Sequence, residues 1–384
     1  MKKILGSLSL TFASVRLCGI IVFSLYFGLS SAQVKTISKQ ITYRLFLIGD
    51  AGNDTTVCSS LSEVAKSSEK DPNATVILLG DNVYPKGVEK GNPNSERVRI
   101  SEKKMGVQID AFNDFTGQFY VIPGNHDWKK SRWGGLKGVK NERAFVDTFS
   151  ITHTQASNKG AVMFPGDGLP GPVMKNINPY VNMIMIDTDW WLQGRFFHPI
   201  GRERINGRKL SKHQADEKFF VALDSLLNIG KTTGKWSVIV AHHPVYTNGR
   251  HQQSYTVWRN LVNYTPMQIF GLLGVNRLLT SNIYQPCYKE MRKKLKKTID
   301  KYDHVIYASG HDHNLQYFHI DSNFYVVSGA GSKGSQIKKE KFKCECSCDH
   351  HKGYAIIEFK NGKEADLHFN IVGPSSEIFH SKLE

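Results

Sequence analysis

Apolar positions in this chain come as short continuous runs rather than in strict alternation. TYRLFLIG (42–49), TVILLG (75–80), QFYVIPG (118–124), YVNMIMID (180–187), WSVIVA (236–241) and HVIYASG (304–310) are rich in Val, Ile and aromatics. Runs of this length and composition predict buried strands. Helical patterns lie between several of them. TTVCSSLSEVAKSSEK follows the first, HQADEKFFVALDSLL (213–227) precedes the fifth and YKEMRKKLKKTIDKY (288–302) precedes the sixth. Alternating strand and helix predicts an α/β domain with mainly parallel central pairing. FYVVSGAGS (324–332), GYAIIEF (353–359) and ADLHFNIV (365–372) predict further strands, expected to pair antiparallel. No Pro/Gly/Ser linker interrupts the pattern, so one domain is expected over residues 40–374. The long irregular segment after Gly249 reads as an insertion at about 252–287, near one end of the sheet.

The N-terminus has a different character. Lys2, Lys3 and Arg16 precede the apolar stretch LCGIIVFSLYFGL, and Ser30 and Ala32 occupy the small-residue positions of a cleavage site. This predicts a signal peptide over residues 1–32, cleaved before Gln33, and an exported, soluble product. The alternative, an uncleaved anchor, is disfavoured because residues 17–29 are short for a span, and no second stretch of span length follows. Cleavage removes three positive charges from the +16 of the full chain and leaves +13. A basic surface attracts anions, phosphate esters among them, without choosing between them. The basic runs RKKLKK (292–297) and KKEKFK (338–343) read as solvated faces. RKKLKK has no aromatic and KKEKFK only Phe342, short of the interleaved series of a stacking groove, so no specific nucleic-acid partner is expected.

The chemistry gathers where the strands end. Asp50 follows FLIG; Asp81 follows ILLG, with Tyr84 behind it; Asn125, His126 and Asp127 follow VIPG. His242 and His243 follow SVIVA, and His311, Asp312 and His313 follow YASG. A single Gly-Asp or Gly-His is an ordinary turn. Five such exits are another matter, because the carboxyl ends of parallel strands converge on one crevice. Asp50, Asp81, Tyr84, Asn125, His242, His311 and His313 make seven candidate ligands. A closed structural zinc site needs only four. Two ions sharing a carboxylate need this many, and such pairs suit phosphate-ester hydrolysis. A phenol with an ordinary pKa near 10 binds as phenolate only to a strongly polarising ion, which favours ferric iron over magnesium or calcium.

GDAGN (49–53), GDNVY (80–84), GNHDW (124–128), AHHPVYTNGRH (241–251) and GHDHNLQYF (310–318) together resemble the calcineurin-like metallophosphoesterases, in particular the purple acid phosphatase branch close to the tartrate-resistant acid phosphatases. The resemblance implies a four-layer αββα sandwich with its active site at the C-terminal strand ends. It also implies ligand roles: Asp50, Tyr84 and His313 on a ferric ion, Asn125, His242 and His311 on a divalent ion (Fe2+, Zn2+ or Mn2+), and Asp81 between them. His126 and His251 are implied as catalytic groups beside the leaving oxygen, and Asp127 as a support for a loop or imidazole. His243 stands where the family commonly has an aromatic, so it reads either as an extra pocket group or as a loop histidine.

The expected function is hydrolysis of small phosphorylated molecules, phosphomonoesters first, by in-line attack of metal-activated water. Phosphodiesters or nucleotides are the alternative substrates, and a non-catalytic anion-binding protein is the alternative of another class. Oligomeric state is not encoded in these patterns. CECSCDHH (344–351) falls outside the resemblance. Cys344, Cys346, Cys348, His350 and His351 read as a small soft-metal site, or the three cysteines read as disulfide partners, with Cys58 and Cys287 as candidates, in an oxidising compartment.

Overall fold

Successive strand residues point to opposite faces, and in the central strands both faces are apolar. On β1 (Thr42–Ile48), Leu45 and Leu47 enter one core while Phe46 and Ile48 enter another. On β2 (Ala74–Leu78), Ile77 joins the first and Val76 and Leu78 the second. The same division holds on β7 (Trp236–Ala241), where Val238 and Val240 oppose Ile239 and Ala241. A strand covered on both sides has to lie between two layers, and this is why the runs are continuous.

The computed structural model describes residues 42–131, 133–153, 160–193, 211–250, 286–337, 340–361, 364–373 and 377–384. The predicted signal peptide (1–32), His251 and almost all of the predicted insertion lie outside the described residues. Two seven-stranded sheets stack face to face. One runs β14 (Glu377–Leu383), β13 (Glu364–Ile371), β12 (Gly353–Lys360), β1, β2, β3 (Gln118–Val121) and β4 (Ala161–Met163). The other runs β11 (Cys346–Cys348), β9 (Leu315–Ile320), β10 (Asn323–Ser328), β8 (Val305–Ser309), β7, β6 (Val181–Met185) and β5 (Val173–Asn178).

Their facing surfaces form the central core, with Leu45, Leu47 and Ile77 against Val238, Val240, Ile306 and Val326. Helices α1 (Ser59–Ser68), α2 (Glu96–Asp110) and α3 (Gly135–His153) cover the outer face of the first sheet through Leu61, Met105 and Val146. Helices α4 (Asp189–Leu192), α5 (Lys212–Thr233) and α6 (Pro286–Ile299) cover the second through Trp190, Phe219 and Leu295. The result is the αββα sandwich. Each fully buried Leu, Ile or Val stabilises it by about 1.5–3 kcal/mol before entropy is counted.

The centre of each sheet is parallel (β1–β2–β3–β4 and β6–β7–β8–β10), as the strand–helix alternation requires. The later strands need one correction. β12 and β13 pair only antiparallel, but β10 is parallel to β8 and antiparallel to β9. The hairpin β9–β10 places its second strand beside β8, so one strand serves both kinds of ladder. The basic run 292–297 lies on α6, where Lys294 pairs with Asp216 and Arg292 Nε donates to the Val245 carbonyl at 2.6 Å.

Candidate metal centre

The exits of β1, β2, β3, β7 and β8 open at the same end of the sandwich, and backbone contacts tie the two sheets there. Gly49 N donates to the Ser328 carbonyl at 2.8 Å, and His242 Nδ1 lies 2.8 Å from the Leu79 carbonyl. The approach is close enough to require glycine. A Cβ on Gly80, whose φ is +86°, would lie 2.7–2.8 Å from Gly124 backbone atoms and from His242 Nδ1. One on Gly124 would lie 2.3 Å from Asp81 N. Asp50, Asp81 and His311 themselves take φ values of 59°, 54° and 69°, a left-handed backbone that costs a residue with a side chain of order 1–3 kcal/mol each. Strain at three polar residues in one crevice marks a functional site.

Six of the seven candidate ligands form two triangles of donor atoms. In the first, Tyr84 Oη donates to Asp50 Oδ1 at 2.7 Å, His313 Nε2 is 3.2 Å from Tyr84 Oη, and His313 Nε2 is 3.3 Å from Asp50 Oδ1. In the second, Asn125 Oδ1 is 3.1 Å from His242 Nε2 and 3.0 Å from His311 Nδ1, and the two imidazole nitrogens are 3.2 Å apart. Asp81 lies between them: Oδ1 is 3.4 Å from His242 Nε2, and the carboxylate is close enough to the Tyr84 phenol to oppose its ionisation. Donor atoms sharing an ion at about 2.0–2.2 Å, with bond angles near 90–110°, stand about 3.0–3.5 Å apart. Both triangles fit that spacing, with the protonated phenol pulled slightly closer. Nδ1 of His242 donates to a carbonyl, so its Nε2 lone pair faces the second triangle, as an orienting partner does for a metal-binding imidazole.

The electrostatics agree with a cation site. Burial opposes ionisation of Asp50, but His313, His242 and Tyr84 outweigh it and hold the carboxyl below its ordinary value. Burial, together with Asp50 and Asp81, pushes the Tyr84 phenol well above its ordinary value. Removing that proton therefore requires a strongly polarising cation. Burial pushes His126 down against the opposing pull of Asp81 and Pro85.

The remaining predicted residues fall around these triangles. His126 is at the mouth, its Nδ1 2.8 Å from the Pro85 carbonyl, its Nε2 3.8 Å from Asp81 Oδ2 and its ring 4.3 Å from that of Tyr84. Asp127 is fully buried. Its carboxylate accepts from the backbone N–H groups of Gly124 (2.8 Å), Asn82 (3.1 Å) and Val83 (3.2 Å), clamping the β2 and β3 exits together. His243 is fully buried. Its Nδ1 is 2.9 Å from Thr188 Oγ1, its Nε2 is 3.9 Å from Asp189 Oδ1, and its ring is 4.4 Å from that of His311.

Sequence reasoning missed several supports. Asp187 and Asp189 follow β6, a sixth strand exit of the same form as the others. Asp187 accepts from Trp128 Nε1 at 2.7 Å, and Asp189 accepts from Ser131 Oγ at 2.8 Å while burial lifts its carboxyl to about 7. The run YVNMIMIDTD carried that signal. Asp312 accepts from Thr247 Oγ1 at 2.6 Å, and Gln316 accepts from Asn248 N at 2.7 Å, so the loop after β7 is tied to the β8–β9 turn. Glu142 of α3 accepts from Asn82 Nδ2 at 3.0 Å behind Asp127, and Lys333 Nζ sits 4.7 Å over the Tyr84 ring. Neither of these had a local signal.

Among the described residues the cysteine-rich segment does not bring three of its ligand atoms together. Cys346 and Cys348 lie on one face of β11, Cys344 Sγ donates to the Cys346 and Tyr317 carbonyls, and the described cysteines are free thiols. Among the described residues no ligand group contains Cys344, Cys346, Cys348, His350 or His351.

A family model described as calcineurin-like phosphoesterase matches residues 43–315. No match was found among curated protein sequences. Of solved structures, one described as GAP50, the anchor in the inner membrane complex of Plasmodium, aligns with TM-score 0.56 at 16% identity, covering 89% of each chain. The purple acid phosphatase PPD1 from yellow lupin (Lupinus luteus) seeds aligns with TM-score 0.53 at 12% identity, over 90% of this chain and 54% of that one. PhoD aligns with TM-score 0.50 at 13% identity, over 89% of this chain and 68% of that one. At these identities the likenesses speak to the fold alone.

Proposed function

The chain belongs to the calcineurin-like phosphoesterase family, and from that premise we propose that it is an exported dimetal phosphatase of the purple acid type that hydrolyses phosphate monoesters. The observation that carries this reading is the pair of donor triangles with Asp81 between them. Asp50, Tyr84 and His313 would hold ferric iron. Asn125, His242 and His311 would hold a divalent ion, Fe2+, Zn2+ or Mn2+. Asp81 would serve both. Bound there, two cations supply the Lewis acidity that makes water a nucleophile near neutral pH and offsets charge on the phosphoryl oxygens.

The chain's own groups do the rest. The Leu79 carbonyl fixes the His242 tautomer, and Asp127 holds the β2 and β3 exits in register. His126 has Nδ1 committed to the Pro85 carbonyl, which leaves Nε2 to face a phosphate at the mouth. Protonated at Nε2, it would give a proton to the departing oxygen. His251 is proposed for the same role. Lys333 adds a cation beside Tyr84, suited to an anionic substrate. Phosphodiesters and nucleotides are the alternative substrates of the same centre.

The test is metal analysis and turnover on one sample. The expected result is two ions per chain, one of them iron, a visible phenolate-to-iron charge-transfer band, and hydrolysis of an aryl phosphate in the acidic to neutral range. A metal-replete protein that hydrolyses neither aryl monoester nor diester would overturn catalysis and leave the anion-binding reading. A panel of monoesters, diesters and nucleotides ranks the substrates. Export predicts that protein recovered outside the producing cell begins at Gln33. No described helix is long and apolar enough to cross a membrane.

A further inference from the structure

A second group of metal-competent side chains lies on the β12–β13–β14 edge of the first sheet, on strands that contribute nothing to the proposed dimetal centre. Leu367 and Phe369 of β13 enter the core between the sheets, so Asp366 and His368 project from the opposite face. His380 of β14 is the direct cross-strand partner of His368, and Glu358 of β12 is that of Asp366. One ligand atom from each of Asp366, His368 and His380 lies within 4.8 Å of the others.

We propose that Asp366, His368 and His380 form a separate binding site for a divalent transition ion of the zinc class, with Glu358 beside it. Three observations carry the assignment. Glu377 Oε2 is 2.8 Å from His368 Nδ1, so the carboxylate accepts a hydrogen bond from Nδ1–H and leaves the Nε2 lone pair facing away from it. A carboxylate behind one nitrogen of a histidine is the usual support for a metal bound at the other. His368 Nε2 is then buried and makes no hydrogen bond, with Glu358 Oε2 standing 3.8 Å off. A charge network alone would protonate that nitrogen and bring Glu358 within hydrogen-bond distance to accept from it.

The spacing also fits. His380 Nε2 lies 3.6 Å from Asp366 Oδ1, close to the roughly 3.4 Å between two ligands of one tetrahedral zinc. Lys360 Nζ is bonded to the other oxygen of Asp366, which keeps the carboxylate ionised and leaves Oδ1 free to coordinate. The two imidazoles are stacked, with centroids 4.5 Å apart and planes 6° from parallel. Parallel rings do not aim their lone pairs at one point, so one ring has to tilt on loading. His380, 46% exposed, is free to do so.

The experiment is a zinc titration of the chelator-stripped full chain, with bound zinc counted per chain. Wild type is expected to hold one zinc more than His380→Ala, whose side chain is exposed enough to be replaced without loss of fold. Glu377→Gln should keep the site but weaken it by about 10- to 100-fold, since it removes only the orienting carboxylate. In wild type, zinc should shift the ring-proton resonances of His368 and His380. Equal zinc content in wild type and His380→Ala, or His368 and His380 resonances that ignore zinc, overturns the proposal. The readout does not depend on turnover, so loss of this site and failure of the dimetal reading are separately visible.

Discussion

Replacing Glu142 with Gln should remove a large part of the protein's loss of stability between mildly acidic and alkaline pH. Glu142 is fully buried on α3; its Oε1 accepts from Asn82 Nδ2 at 3.0 Å, and its Oε2 has no hydrogen-bond donor. Beside it, burial and the neighbouring Glu142 and Asp81 charges push the Asp127 carboxyl well above its ordinary value, although it accepts three backbone N–H groups that favour the charged form. Two buried carboxyls this strongly coupled, with too few donors to hold two negative charges, keep a proton between them. Burial pushes Glu142 from 4.5 up to about 7.

The unfolded chain therefore releases this proton near pH 4.5, whereas the folded chain keeps it until about pH 7. Across that window the unfolded state gains from ionisation and the folded state does not, so stability falls as pH rises. At 1.36 kcal/mol for each tenfold change in acidity, the full loss is about 3 kcal/mol by pH 8. Glutamine keeps the acceptor for Asn82, offers an N–H toward Asp127 and has no proton to release. The assay is urea denaturation of chelator-treated wild type and Glu142→Gln at several pH values from about 4 to 8. The variant is expected to gain on wild type by about 3 kcal/mol across that range. Asp189, also lifted to about 7, acts equally on both proteins and cancels. Parallel pH dependences for the two proteins would refute the shared-proton account.

Three further outcomes follow from the site. Tyr84→Phe removes the hydroxyl that bonds Asp50 Oδ1 and lies 3.2 Å from His313 Nε2, so iron content and the visible band should both be lost; an unchanged spectrum would remove Tyr84 from the ligand set. Gly80→Ala combines a φ of +86° with a Cβ 2.8 Å from His242 Nδ1, and should cost at least about 1 kcal/mol and deplete the second ion, read by thermal melting and metal analysis. His126 is held below the ordinary histidine value of about 6.5 by burial, so a step needing its protonated form fades as pH rises through a value below that. His126→Asn should lower kcat on an aryl phosphate by about 100-fold and flatten that limb; an unaltered pH profile would exclude the role.

Much of this protein can be read from local pattern. Continuous apolar runs forecast strands covered on both faces, because a residue pair such as Leu45 and Phe46 has to find a core on each side. The Gly-Asp, Gly-Asn-His-Asp and Gly-His-Asp-His exits announced ligands, because glycine at a strand end permits the close backbone approach that Gly80 and Gly124 make. What one segment cannot express is which distant segment it will face. Asn125 Oδ1 meets His311 Nδ1 at 3.0 Å across 186 residues, and only the stacking of two sheets sets that distance. The Glu142–Asp127 proton, the His243–Thr188 contact and the strained φ of Asp50 arise the same way. So does the Asp366–His368–His380 group, assembled by the cross-strand register of an antiparallel hairpin. Side-chain period and glycine placement are local properties of the chain and survive in its sequence. Ligand spacing, burial and the pKa shifts that follow from them are sums over neighbours that come together only when the layers pack.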